Sequence, residues 1–168
     1  MAQDFVGSNN INLFEPNGQF GTRLQGGDDA ASERYICTQL SKLTRLIFPE
    51  ADDPILTYLE DDGTPVEPMF YVPIIPMQLI NGGKGIGTGF STDILNYDPL
   101  TIIDYVKQRL LLESNEEKLP ISLTPHYNGF KGTIIPLNEQ NNKYLIKGVY
   151  EILSDKQVRV TELPIGTW

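Results

Sequence analysis

The chain has 168 residues, 40% of them hydrophobic and 21% charged, with a formal net charge of −9. That balance is ordinary for a soluble globular protein, and the length suffices to bury a core as one domain or two small ones. The acidity argues against a simple nucleic-acid binder, which carries a basic face, and the longest apolar runs, YVPIIPM and YDPLTIIDYV, are broken by Pro or Asp and too short to span a bilayer.

The first twenty-five residues place turn signals, GSNN and EPNGQFG, around short apolar pieces such as INLF, and read as loop and short strand. The start, MAQDFVGSNN, has neither a basic nor an apolar leader region, so no secretory signal is expected. DDAASERYICTQLSKLTRLIF predicts one helix over residues 28–48. Asp28, Asp29 and Ser32 offer cap oxygens, Glu33 suits the first turn, and Ile36, Leu40, Leu43 and Ile47 recur at helical spacing until Pro49. ADDPILTYLEDDGTPVEP reads as short helical or irregular chain closing on a DDG turn. MFYVPIIPM, with two prolines, reads as extended but not as a central strand.

GGKGIGTG, residues 82–89, reads as a glycine loop. It lacks the order of a phosphate-binding P-loop, because Gly85 follows Lys84, and it closes no dinucleotide-binding unit. YDPLTIIDYVKQRLLLES predicts a second helix: Asp98 caps it, Pro99 takes the first helical position, and Ile102, Ile103, Val106 and Leu110 line one face. NEEKLP is a linker. From GFKGTIIPL onward the pattern alternates, so KYLIKGVYEIL and KQVRVTEL predict strands of an antiparallel sheet, joined by NEQNN and SD turns. The expected architecture is α+β, with a helical part to about residue 76 followed by a module of helix and antiparallel sheet.

Charge is distributed unevenly along this order. Asn17–Phe48 holds four basic and three acidic residues, Pro49–Pro68 holds seven acidic and none basic, and Met69–Thr92 holds only Lys84. Two non-acidic stretches therefore flank an acidic one, and the first and third can meet a polyanion. The single cysteine, Cys37, excludes an internal disulfide and a cysteine metal cluster. The single histidine, His126, leaves little for a His–His metal site or a Ser/His/Asp triad. Arg34–Tyr35 has two readings on these grounds: a tyrosine packed at a helix start, or a tyrosine nucleophile with a cation beside it. Ile86 likewise reads either as a core residue under a glycine turn or as a presented wedge.

The stretches FVGSNNINLF, PNGQFGTR, GGDDAASERYI, YVPIIPMQLINGGKGIGTGFST, GFKGTI and TELPIGTW, in this order, closely resemble the DNA breakage–reunion region of type IIA DNA topoisomerases. The wording GQFGTR and GIGTGFST resembles the eukaryotic and large-DNA-virus branch more than bacterial gyrase. The resemblance covers essentially the whole chain. It implies the latter part of a winged-helix domain over residues 1–76 and a tower domain, incomplete at its C-terminal end, over residues 77–168. It implies an ATP-dependent enzyme that breaks both strands of a duplex through 5'-phosphotyrosine links, passes a second duplex and reseals the first. Tyr35 matches the family's DNA-linking tyrosine, and Arg34 the arginine that accompanies it. Ile86 matches the residue that wedges between base pairs, and Trp168 a tryptophan against DNA, the alternative being a tryptophan that covers the sheet edge. Lys84 and Arg23 are further expected DNA contacts.

The chemistry agrees with that assignment. A phenol, with an ordinary pKa of about 10, needs a base and a charge-stabilising partner to attack phosphorus. A guanidinium suits the negative charge that builds on the non-bridging oxygens. The same resemblance places Mg2+ and ATP in the parent enzyme, on parts this chain lacks, and a general-base histidine upstream. Asp28–Asp29, Asp52–Asp53 and Asp61–Asp62 are adjacent pairs and not the DxD form, so no metal residue is assigned. By itself the chain is expected not to cleave DNA. Its expected partners are double-stranded DNA and, in the parent, a second copy; no membrane is expected. The compartment is the nucleus for a cellular eukaryotic source, or the host nucleus or cytoplasm for a viral one. Asp28, Phe90 and Gly166 depart from the family's usual lysine, tryptophan and arginine, which puts the strength of DNA grip in doubt at those points. The alternative function is a non-catalytic module that binds and bends DNA.

Overall fold

The computed structural model describes residues 1–111, 123–138 and 143–168. Among them every strand pairs antiparallel, in five two-stranded ladders, with three α-helices interspersed. The α+β class read from the sequence holds, but the order of elements in the first half does not.

Strand β1 (Phe14–Asn17) pairs with β2 (Cys37–Leu40), Phe14 facing Leu40 and Asn17 facing Cys37. The helix expected over residues 28–48 is thereby overturned. In its place stand a 3-10 turn at Glu33–Tyr35, strand β2, and a single helical turn, α1 (Thr44–Ile47). Ser32 makes no side-chain cap bond. The reason is local and tertiary together: Ile36, Cys37 and Thr38 are weak helix formers, and β1 offers their backbone a ladder. The apolar residues at helical spacing accordingly share no face. Leu40 and Leu43 are exposed and Ile47 alone of the four is buried.

A 3-10 helix at Glu50–Ile55 follows, and Arg45 ties it to α1 by a 2.7 Å ion pair to Asp53. Then β3 (Tyr58–Asp61) and β4 (Thr64–Pro68) form a hairpin that the sequence reading lacked, although it placed the turn correctly. Asp62 and Gly63 both have positive φ, 48° and 80°, as a tight two-residue hairpin turn requires. Residues 69–76 are extended without a ladder, as expected, and dock through Ile74 N–H to the Ile47 carbonyl at 2.9 Å. The part before residue 77 is therefore not helical: its one α-helix among the described residues is α1.

Helix α2 (Met77–Asn81) leads into β5 (Gly83–Ile86) and β6 (Ser91–Ile94), so the expected glycine loop is a β-hairpin. Helix α3 (Pro99–Leu111) stands where the sequence put it, with Asp98 Oδ2 accepting from Thr101 N–H at 3.0 Å and Thr101 Oγ1 at 2.8 Å. Strands β7 (Thr133–Asn138) and β8 (Lys143–Lys147) form one ladder, and β9 (Val149–Ser154) and β10 (Gln157–Glu162) another. The single sheet expected here is thus two hairpins, divided at Gly148. The backbone there passes so close to the Glu162 carbonyl that a Cβ would lie 2.0 Å from its oxygen. The linker NEEKLP and residues 139–142 of the NEQNN turn lie outside the described residues.

Among the described residues few are buried: Ala2, Thr44, Ile47, Pro68, Ile80, Asn96, Ile102, Pro125 and Tyr127. The accessible surface is 12677 Å², against about 8,300 Å² for a compact monomer of this mass. The described residues do not form the sizeable core that the length allows. Side-chain amides, those of Asn10, Asn81 and Asn96, tie the elements together around the GSNNIN stretch. Asn10 Nδ2 donates to the carbonyls of Ile80, Tyr97 and His126 at 3.0, 3.0 and 2.9 Å, while its Oδ1 accepts from Asn128 N–H at 2.8 Å. Asn81 exchanges two bonds with the Ile11 backbone, and Asn96 Nδ2 donates to the Ser8 carbonyl at 2.7 Å. These bonds join the N-terminal segment, the base of the β5–β6 hairpin and residues 126–128. Amides can do this because each offers a donor and an acceptor to backbone groups that irregular chain leaves unpaired.

Candidate nucleic-acid interface

The loop that carries Arg34 and Tyr35 is closed from within. Asp29 accepts from Thr22 N–H and Thr22 Oγ1, both at 2.7 Å, and from Gln19 Nε2 at 3.2 Å. The Thr22 backbone bond, followed by its hydroxyl, holds the Asp29 carboxyl below its ordinary range. Ala31 N–H then bonds the Gln19 carbonyl at 2.9 Å, and Tyr35 N–H bonds the Ser32 carbonyl at 2.9 Å. Asp29 was expected as a helix cap; it is the latch of this loop instead.

On that backbone Tyr35 is 74% exposed, and the Arg34 guanidinium carbon lies 5.7 Å from the centre of its ring. Among the described residues neither the Tyr35 hydroxyl nor the Arg34 guanidinium takes part in a hydrogen bond or ion pair with the rest of the chain. A side chain so exposed is not a packing residue. The pair stands at the end of a three-residue 3-10 turn, not at the start of a long helix, so no helix dipole assists a phosphate there.

The β5–β6 hairpin has an anchored base and a bare tip. Ile80 of α2 is fully buried, and Gly82 turns the chain at φ 65° where a Cβ would strike the Asn96 side-chain oxygen at 2.5 Å. At the far end Ile86 and Phe90 are 87% and 86% exposed, and Gly87 N–H bonds the Phe90 carbonyl at 2.8 Å. Lys84 is exposed on the same strand, opposite Asp93 in the ladder. A Cβ on Gly85 or Gly89 would meet nothing within 4 Å, so no contact within the described chain requires glycine's small size there. Ile86 is presented outward on a slender ribbon.

Arg23 and Trp168 are placed differently. Arg23 Nη1 pairs with Glu162 Oε1 at 2.6 Å, its second terminal nitrogen donates to the Leu163 carbonyl at 2.8 Å, and its guanidinium carbon lies 5.9 Å from the Phe130 ring centre. Trp168 meets Phe5 edge to face at 6.0 Å and lies across Gly26, where a Cβ would fall 2.3 Å from the indole nitrogen. Arg23 joins the start of the Tyr35 loop to the end of β10, and Trp168 packs between that loop, at Gly26, and the N-terminal segment, at Phe5. Among the described residues no hydrogen bond or ion pair links that loop to the hairpin of Lys84 and Ile86. Sequence reasoning missed Asn10 and Glu162. The run of asparagines in GSNNIN was a usable signal for the first; Glu162 carried none, because its partners lie far away in sequence.

Among the described residues no group of three or more His, Cys, Asp or Glu side chains converges on a point where a metal ion can sit. No described helix is long and apolar enough to cross a membrane.

The DNA gyrase/topoisomerase IV family, in its A-type polypeptide, matches residues 1–168. DNA topoisomerase 2 of Arabidopsis thaliana is 52% identical over 170 residues, covering 100% of this chain and 11% of the relative. Human DNA topoisomerase 2-alpha is 52% identical over 168 residues, covering 100% of this chain and 10% of the relative. The chain thus spans about a tenth of the length of the curated relatives it matches. The crystal structure of the Plasmodium falciparum topoisomerase II DNA-binding, cleavage and re-ligation domain superposes with a TM-score of 0.87 at 47% identity, over 99% of this chain and 22% of that one. This chain belongs to the type IIA DNA topoisomerases, as a segment of the breakage–reunion region of the eukaryotic-type branch.

Proposed function

We propose that this segment supplies the DNA-linking tyrosine of an ATP-dependent type II topoisomerase, with Tyr35 as nucleophile and Arg34 as its charge-stabilising partner. The observation that carries the proposal is the exposed Arg34–Tyr35 pair on a turn whose backbone is latched by Asp29. The Tyr35 oxygen attacks a backbone phosphorus. An O–P bond forms as the bond to the 3'-oxygen breaks, that oxygen takes up a proton from solvent and leaves as a 3'-hydroxyl, and the cut strand stays attached by its 5'-phosphate. The phenolic proton goes to a base outside this chain, and Arg34 holds the non-bridging oxygens as charge builds on them. Reversal reseals the strand without fuel, because the ester keeps the energy of the broken bond.

Residues 1–76 and 77–168 are assigned to the latter part of a winged-helix domain and to a tower domain. Ile86, with Lys84 on the same strand, is assigned to the bent duplex: a β-ribbon that carries bulky apolar side chains, Ile86 and Phe90, at a glycine-rich tip suits insertion between base pairs. Trp168 retains an exposed edge for DNA, while Arg23 is assigned to holding the Tyr35 loop. Mg2+ and ATP belong to other parts of the longer protein. The parent acts as a homodimer, since each strand of a duplex needs its own tyrosine, in the nucleus of a cell or of a virus's host, or in the host cytoplasm.

The test is to trap the covalent complex of the complete enzyme carrying this segment with duplex DNA, digest it, and sequence the nucleotide-bearing peptide. A phosphotyrosyl linkage at Tyr35 is the expected result. Linkage at another residue overturns the assignment, and duplex bending with no linkage anywhere favours the non-catalytic module.

A further inference from the structure

The loop that presents Tyr35 is held from outside itself by the far end of the chain. Arg23 opens the 3-10 turn Arg23–Gln25, twelve residues before Tyr35. Glu162 closes β10, and its side chain is only 9% exposed. One carboxylate oxygen takes Arg23 Nη1 at 2.6 Å, and the other accepts Lys131 N–H at 2.8 Å. The second Arg23 nitrogen reaches the Leu163 carbonyl at 2.8 Å, and the Phe130 ring lies against the guanidinium. Gly26, at φ 60°, then turns the chain beneath the Trp168 indole. Beyond it, Gly27 N–H and Gln25 N–H return to the Thr22 carbonyl, and Asp29 and Ala31 close the loop up to the Tyr35 turn. Tyr35 itself is held only through its backbone, by its N–H to the Ser32 carbonyl, since its hydroxyl has no partner among the described residues.

We infer that Glu162 and Arg23 are positioning residues for the Tyr35 nucleophile, a clasp through which the β9–β10 hairpin sets where the tyrosine stands. The inference rests on the proposed role of Tyr35. A paired, largely buried carboxylate contributes more to a unique geometry than to stability, because desolvation offsets most of the attraction. A displacement of about 1 Å in a reacting group costs on the order of a hundredfold in rate. The forked guanidinium suits the task because it fixes two directions at once, to a carboxylate and to a carbonyl.

The clasp is tested in the complete enzyme with Glu162→Gln, Arg23→Ala and Arg23→Lys. Two quantities are read: the single-turnover rate of covalent adduct formation at saturating duplex, and the duplex Kd. Glu162→Gln and Arg23→Ala are expected to slow adduct formation about tenfold or more with Kd within twofold of wild type, and Arg23→Lys to recover part of the rate. Hydrogen exchange at residues 22–35, measured without DNA, should rise in the same two variants. Adduct rates within twofold of wild type overturn the clasp. So does a loss confined to Kd, which would make Arg23 a DNA contact. If exchange rises while Tyr35→Phe still forms adduct, the clasp holds the loop but the nucleophile has been misassigned, so the two failures are distinguishable.

Discussion

The Arg34 guanidinium carbon lies 5.7 Å from the centre of the Tyr35 ring, and both side chains face solvent. A cation over an exposed ring is worth about 0.5–1 kcal/mol, too little to explain why the pair stands here. The arrangement holds a phenol and a planar cation side by side with their polar atoms unspent among the described residues. Such a pair is poised for an external anion.

Tyr35→Phe in the complete enzyme should abolish covalent linkage and leave duplex affinity within about twofold. Only the hydroxyl is lost, and 74% of the residue is exposed, so little packing depends on it. Gel assay of protein-linked DNA checks the first point and equilibrium binding the second. Persistent linkage would point to another tyrosine, with Tyr58 or Tyr71 next.

Arg34→Ala should slow cleavage by about a hundredfold or more, the scale for loss of one transition-state donor. Arg34→Lys should recover only part of this, since an ammonium cannot fork across two phosphate oxygens. Full recovery by lysine in a single-turnover measurement would reduce the role of Arg34 to simple charge.

Ile86→Ala should weaken bending of an intact duplex while leaving binding of nicked or pre-bent DNA nearly unchanged. The side chain is 87% exposed, so its removal opens no cavity in the protein. Unstacking a base step costs a few kcal/mol, which the wedge offsets only while it is inserted. Energy transfer between labelled duplex ends reads the bend angle, and an unchanged angle would rule out the wedge.

Asn10→Ala should destabilise the base of the hairpin by about 2–3 kcal/mol, as three carbonyls and one N–H lose a common partner. Asn10→Asp should be no better, because a carboxylate would face the Ile80, Tyr97 and His126 carbonyls. Native-state exchange at Asn128 and at residues 77–86 gives the magnitude. Protection equal to wild type in either variant would count against the amide hub.

Acid should loosen the start of α3. Burial works to raise the Asp98 carboxyl, but the two bonds from Thr101, with smaller contributions from His126 and the Leu100 N–H, together hold the group below its ordinary range. A carboxyl lowered in the folded state stabilises it above the unfolded pKa, and that stabilisation is lost as pH falls through the folded one. Fraying of α3 should therefore set in as pH falls through the ordinary carboxylate range and be complete below the lowered Asp98 pKa, on the scale of about 1 kcal/mol for a helix cap. Asp98→Asn, which caps without titrating, should remove the pH dependence of exchange in the first turn.

Local chemistry determined α3, with Asp98 and Pro99 at its start, the Asp62–Gly63 turn, and the non-ladder character of the proline-bearing stretch before α2. Each depends on neighbours within a few residues, so the sequence alone contains it. Arg34–Tyr35 and Ile86 stood out as short motifs, but residue types alone left each with a packed and a presented reading; the tertiary structure decided that Tyr35 and Ile86 are exposed. The segment from Asp28 to Phe48 was not legible, because its helical spacing was outweighed by β1, a strand more than ten residues upstream. Nor was the glycine stretch legible as a ribbon, since the register of Ile86 against Ser91 is a pairing and not a propensity. Glu162 and Asn10 acquire meaning only where distant backbone brings Arg23, Lys131, Ile80, Tyr97 and His126 to them. A hydrogen bond is specified by two partners at one distance, and tertiary structure alone sets that distance.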